Sequence, residues 1–356
     1  LDFYTIVVST AKDGTVSVRP DWKVGRSKDL MTRVGSFYAI WDEARGMWST
    51  DIYDVARLVD QDLIEYGAKY HPGAKVATIE SNGTKLWEQF HRYLKISGSS
   101  SHNLDEKLTF ENSDVKRSDY SSKRVPYSLG PGKIDAWDTI VGTLYNEEER
   151  AKIEWAIGAV VSGESTRIQK FLVFYGPPGS GKSTILNIIE KLFHGYYGIF
   201  DARELGSNNN AFAASAFKDN PLVAIQHDGD LSRIYDNTKL NSIVAHENIA
   251  INEKYKTPFI TRSNAFLFMG TNVPVKISDA KSGIIRRLID VVPTQQTIDN
   301  ATYHNLMDQT NFELGAIAQH CLDRYLSMGK NYYSNYRPTE MMLQTDIFYN
   351  FVESAF

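Results

Sequence analysis

The chain has a single cysteine, Cys321, among 356 residues. An internal disulfide is therefore excluded, and the composition suits a reducing cytosol. No apolar run approaches the ~20 residues that a spanning helix needs, and no signal peptide is visible, so no membrane partner is expected. Charge of one sign is not in excess: 39 Lys+Arg against 43 Asp+Glu leave a formal net charge of −4. No global basic field advertises nucleic acid, although a local basic feature can still bind it. No internal repeat is found. The length suffices for two or three domains with cores of their own. The chain starts at Leu1 rather than Met, so part of a longer polypeptide is expected.

What is present is concentrated between Phe171 and Phe193. Phe171-Leu-Val-Phe-Tyr175 is apolar without alternation, as in a strand buried on both faces. Gly176-Pro177-Pro178-Gly179-Ser180-Gly181-Lys182-Ser183 then fits G-x-x-x-x-G-K-[ST], the phosphate-binding loop pattern. Ile185, Ile188, Ile189 and Leu192 follow at helical spacing. Strand, loop and helix in that order are the context this motif requires. Gly176, Gly179 and Gly181 permit backbone angles and close approaches that a side chain would block. Their amides and the helix start form a cradle for phosphate oxygens. Lys182 can reach the outer phosphates and the Ser183 hydroxyl can ligate Mg²⁺. The expected ligands are ATP and Mg²⁺, held by residues Gly176 to Thr184.

Upstream, Phe3–Ser9 and Thr15–Arg19 around Asp13-Gly14 read as a hairpin, and Phe37–Trp41 with Met47-Trp48 as a second. Ile52 to Leu63 and Thr84 to Leu94 read as amphipathic helices. Leu86, Trp87, Phe90 and Tyr93 are core residues in this reading, with base stacking the alternative. Residues 97–133 are polar and carry Lys116-Arg117 and Lys123-Arg124, which suit a solvated connector or, less well, a phosphate-contacting strap. Ile134 to Ser162 turns helical, with Trp137, Ile140, Val141 and Leu144 as one stripe and Ile153 to Val161 as a more buried stretch. Further strands are expected at Gly198–Asp201, Leu222–Gln226, Ala265–Met269 and Leu288–Val292, making a mainly parallel sheet covered on both faces. Residues 300–356 are expected to be mostly helical, with Phe312, Leu314, Ile317, Ala318 and Cys321 forming the inner stripe.

A phosphate-binding loop needs an acidic partner at the end of a neighbouring strand to hold the metal and its water. Asp228 is the first choice and Asp230 the second; an Asp-Gly turn is the plainer alternative. No Glu follows that strand, which leaves the general base open, with His227 a weak candidate. Asn272 ends the next strand, where an amide can orient the attacking water or simply make a turn. Arg286-Arg287 precede the last strand and suit a clamp on phosphate oxygens, or a surface ion pair. Lys254-Tyr255-Lys256 lies between two alternating stretches, as at the tip of a protruding hairpin. Its lysines and ring match a sequence-tolerant grip on single-stranded DNA, with solvating lysines the alternative.

Together these residues resemble superfamily 3 helicases, in the phage, plasmid and poxvirus primase-helicase group. The resemblance covers about residues 105–330: the lead-in from Asn146 to Gly163, the loop, Lys254-Tyr255-Lys256, Thr271-Asn272, and Arg286-Arg287 ahead of Pro293. It implies an α/β, AAA+-like P-loop NTPase domain in a homo-hexameric ring with ATP between subunits. Lys182 would hold phosphates, Asp228 the metal and Asn272 a sensing role. Arg287 would act in trans with Arg286 in reserve, and the Lys-Tyr-Lys tip would ride on DNA in the channel. The family also implies a helical collar, a cytoplasmic setting (the host's, if phage-encoded) and an attached primase or polymerase. The implied division is 1–97 a small α+β region, 98–165 connector and collar, 166–296 the ATPase domain, and 297–356 a helical end. One departure stands out: the family places an acidic residue where this chain has His227, which bears on turnover more than on nucleotide binding. The readings carried forward are an ATP-driven helicase or translocase, an ATP-binding DNA-gripping ring or initiator scaffold with little hydrolysis, and, least favoured, a small-molecule kinase.

Overall fold

A computed structural model describes residues 1–81, 83–105, 108–207, 213–234, 236–252, 259–275, 283–345 and 351–352. The chain divides into two units, Leu1–Thr109 with Ser113–Arg124, and Phe110–Asn112 with Val125–Phe356.

In the first unit β1 (Tyr4–Thr10) and β2 (Val16–Trp22) pair as an antiparallel hairpin, Tyr4 opposite Trp22 and Thr10 opposite Val16. Its turn follows from Asp13, whose carboxylate accepts the Thr15 amide at 2.9 Å, and from Gly14 at φ 83°. A meander of β3 (Leu30–Arg33), β4 (Ser36–Asp42) and β5 (Met47–Ser49) contains the second expected hairpin and one strand more, β3. Helix α1 (Tyr53–Tyr70) precedes β6 (Lys75–Val76), which pairs parallel to β2, and α2 (Gly83–Ile96) follows. Val55, Val59 and Leu63 of α1 meet Phe90, Tyr93 and Leu94 of α2 over Phe3, Val18 and Ile40. Phe90 and Tyr93 are thus core residues, and side chains of this kind contribute about 1.5–3 kcal/mol each on burial.

Residues 113–124, expected as a solvated connector, instead belong to this unit. Lys123 is buried against Asp105, Arg117 pairs with Asp29, and Arg124 donates to the Arg45 carbonyl at 3.1 Å. Three of the four cations of the two basic pairs are thus engaged within the unit, while Lys116 is exposed. Two-residue strands β7 (Thr109–Phe110) and β8 (Arg124–Val125) mark where the chain passes between units.

The second unit begins with α3 (Asp135–Leu144) and α4 (Glu147–Val161). Asn146 caps α4 by accepting the Glu149 amide at 3.0 Å. Then come β9 (Phe171–Tyr175), α5 (Lys182–Leu192), β10 (Tyr197–Ile199), α6 (Ala202–Leu205), β11 (Val223–Gly229) and α7 (Thr238–Val244). An antiparallel pair, β12 (Asn248–Ile251) and β13 (Phe259–Arg262), precedes β14 (Phe266–Thr271) and β15 (Leu288–Val291). The five strands β10-β11-β14-β9-β15 lie in that order, every neighbouring pair parallel. Phe171 to Phe174 are fully buried, as their continuous apolar run requires. Strand β11 runs further than expected, through His227 and Asp228, with a register shift against β14 between Gln226 and Gly229.

The chain closes with α8 (Asn300–Met328) and α9 (Thr339–Thr345). On α8 the inner stripe is Met307, Thr310, Glu313, Ile317, Ala318, Cys321 and Tyr325, while Phe312 is 91% exposed, contrary to expectation. Glu313 is turned inward because its carboxylate accepts the Ala136 and Trp137 amides at 3.1–3.2 Å, capping α3. Helices α4 and α8 approach so closely that a Cβ on Gly158 would lie 2.0 Å from the Cys321 carbonyl oxygen. Among the described residues, no helix is long and apolar enough to cross a membrane.

Candidate nucleotide site

Four buried residues of β9 and the half-buried Tyr175 deliver the chain to Gly176 at the carboxyl end of the sheet, the edge at which open α/β sheets bind ligands. The loop is gripped from both sides. A Cβ on Gly176 would stand 2.8 Å from Pro293, and one on Gly181 would stand 2.7 Å from Leu144 at the end of α3. Gly179 and Gly181 have φ of 77° and 87°, values that L side chains resist. Gly181 starts α5, so the helix opens directly out of the loop.

Lys182 is 7% exposed and turned back into its own loop. Its Nζ donates to the Gly176 and Pro177 carbonyls at 2.8 Å each and to Asn272 Oδ1 at 2.7 Å, with Ser180 Oγ at 3.4 Å. Burial pushes its pKa down from the ordinary lysine value, and the charge of Asp228 opposes that shift. Asn272 is placed by Thr271, a buried residue whose hydroxyl donates to the Val273 carbonyl at 2.8 Å and accepts its amide at 3.1 Å. Pairing of β14 with β9, Thr271 opposite Tyr175, then sets that turn beside the loop.

Ser183, on the first turn of α5, and Asp228, near the end of β11, are both exposed. A hydroxyl and a carboxylate on this edge suit Mg²⁺, which takes one or two protein oxygens and completes its shell with water and phosphate. Asp230 is engaged differently: its carboxylate accepts the Ser232 amide at 2.9 Å and caps a short 3₁₀ turn. His227 is held away from the loop, with Nε2 2.6 Å from Glu190 Oε1, two turns along α5 from Lys182. Beside the loop a cavity of about 420 Å³ is lined by Leu144, Gly179, Gly181, Thr184, Asp299 and Tyr303, among others. That wall was not foreseen: Thr297 to Tyr303 carry no motif, and only the docking of α8 brings them here.

The two arginines are elsewhere. Leu288 of β15 pairs with Phe171 of β9, so Arg286 and Arg287 sit at the amino end of the strands. At about 3.3 Å per residue the five residues of β9 put some 16 Å between them and the loop. Arg287 is 7% exposed, donates to the Gly283 carbonyl at 3.0 Å and stands 3.5 Å from Asn241 Oδ1. Burial and the neighbouring Arg286 push its pKa down. Arg286 is exposed. The Lys254-Tyr255-Lys256 tip lies outside the described residues; β12 and β13, which flank it, pair with Asn248 opposite Arg262.

Residues 174–287 match the model of a family of unknown function, DUF5906. Its bounds run from the last buried residues of β9 to the second arginine. Among solved structures the chain is similar to the apo C-terminal region of NrS-1. An A-form structure of that region matches with TM-score 0.46 at 12% identity, over 70% of this chain and 64% of that one. A structure of its residues 305–718 gives 0.48 at 11% identity, over 90% and 74%, and an A form of the same residues gives 0.47 at 11%, over 95% and 74%. This chain therefore spans just under two thirds of the first of those chains and about three quarters of the other two.

Proposed function

We propose that this chain is an AAA+-like, ATP-dependent helicase or translocase of phage or plasmid DNA replication, acting as a hexameric ring on single-stranded DNA. The observation that carries the reading is the meeting of Lys182 and Asn272 at the carboxyl end of the sheet. In the proposed mechanism the triphosphate displaces the Gly176 and Pro177 carbonyls from Lys182, whose ammonium then follows the outer phosphates. Ser183 and Asp228 would hold Mg²⁺, which supplies charge neutralisation at the β- and γ-oxygens. The nucleoside would occupy the cavity between Leu144 and Tyr303. Asn272, released from Lys182, would orient water at the γ-phosphate. Arginines on the far end of the same strands cannot serve this loop, which supports their use on a neighbouring copy's nucleotide. Lys254, Tyr255 and Lys256 would grip DNA at the ring's centre.

A second reading, a ring that binds ATP and grips DNA with little turnover, is favoured by one observation. His227 is tied to Glu190, and Asp230 to its own turn, so neither is presented as a base. Sizing the protein with and without ATP, then measuring hydrolysis with and without single-stranded DNA, separates the two. DNA-stimulated hydrolysis by an assembled species supports the first. Nucleotide-dependent assembly without turnover supports the second, and a monomer under every nucleotide condition overturns both.

A further inference from the structure

Lys170 immediately precedes β9 and is 7% exposed. Among the described residues no carboxylate pairs with it. Its Nζ donates instead to the Arg286 carbonyl at 2.5 Å, with the Tyr336 carbonyl at 3.5 Å. Tyr336 is itself fixed, its hydroxyl donating to Asp290 of β15 and accepting from Lys152 Nζ at 3.0 Å. The turn carrying the arginines is therefore pinned from β9 and from the C-terminal segment together. Within that turn the two guanidinium groups part. Arg287 folds inward onto Gly283, while Arg286 stays exposed, its Nε and Nη2 3.5–3.6 Å from where a Gly283 Cβ would stand.

A lysine is a costly choice for this position. Burial, with the charges of Arg337 and Arg287, pulls its pKa down to about 8. A methionine would fill the same space without that cost. What only the ammonium supplies is a grip on two carbonyls at once.

We propose that Lys170 is a positioning residue: it fixes the backbone of Arg286 so that this arginine, rather than the buried Arg287, is offered to the triphosphate of an adjacent copy. The assignment rests on the shared-site reading above. It also reverses the roles of the two arginines expected from the family resemblance.

The test mixes subunits. Lys170→Met is expected to assemble with nucleotide like the parent and to hydrolyse ATP at least tenfold more slowly. Mixed with Lys182→Ala, which carries an intact arginine turn, it should recover activity to the level of the Lys182→Ala and Arg286→Ala mixture. Mixed with Arg286→Ala it should stay inactive, because no subunit then supplies a well-placed arginine. Lys170→Leu, which likewise lacks a donor, carries the same test if the methionine variant does not assemble; failure of both to assemble makes Lys170 merely structural and overturns the proposal. Full activity of Lys170→Met alone, or recovery with Arg286→Ala, overturns the Lys170 role and leaves the shared site standing. No recovery in the Lys182→Ala and Arg286→Ala mixture, with an active parent, overturns the shared-site reading and the Lys170 role with it.

Discussion

Two buried lysines stand at opposite ends of one strand, and they are held in opposite ways. Lys182, beyond the carboxyl end of β9, contacts loop carbonyls and an amide side chain, all of which can yield to a phosphate. Lys170, before the amino end, grips backbone carbonyls of two other segments, which have no substitute partner in view. In both, burial pushes the pKa down. Similar burial and shifts in the same direction therefore accompany different partners, and the identity of the partners separates the two lysines. A cation whose partners are exchangeable is set to change them. One whose partners are structural fixes geometry.

The sharpest way to break this comparison is Lys182→Ala. Hydrolysis should fall at least 100-fold while thermal unfolding stays within a few degrees of the parent, because the ammonium's partners are its own loop and the exposed Asn272 side chain. A large loss of melting temperature would make Lys182 structural and erase the distinction. Asn272→Ala should come next, slowing hydrolysis roughly tenfold or more with little change in ATP affinity, read as a split between kcat and KM. Gly181→Ala should cost about 1–3 kcal/mol of stability in denaturant unfolding, from its positive φ and the crowding of Leu144. The smallest effect concerns pH. The folded-state pKa of Lys170 lies near 8, below an ordinary lysine near 10.5, so the unfolded chain binds the extra proton between those values. Its contribution to stability should therefore rise from pH 8 to 10.5, and the difference from Lys170→Met should narrow over that window.

The sheet was legible because a strand buried on both faces leaves a continuous apolar run, as at Phe171–Tyr175 and Phe266–Met269. The loop was legible because only glycines fit its φ values and close contacts. The extent of β11 was harder to read, since His227 and Asp228 lack the apolar signature that a strand's irregular end does not need. On α8, Phe312 suggested an inner face that Glu313 in fact occupies. A carboxylate capping a helix 177 positions away leaves no local trace. Strand order is likewise non-local, so sequence spacing could not set β15 beside β9, nor connect Lys170 with Arg286.

Helix α3 acts as a strut. One end is nailed to α8 through Glu313; the other abuts the glycine that begins α5, and the Leu144 carbonyl also takes the Thr294 amide at 2.8 Å. A push on α8 would therefore travel down a stiff rod of ten residues into the loop's own backbone, without passing through the sheet. A shift of the loop's backbone at Gly181 would press first on the end of that rod, and through Glu313 on the long helix behind it.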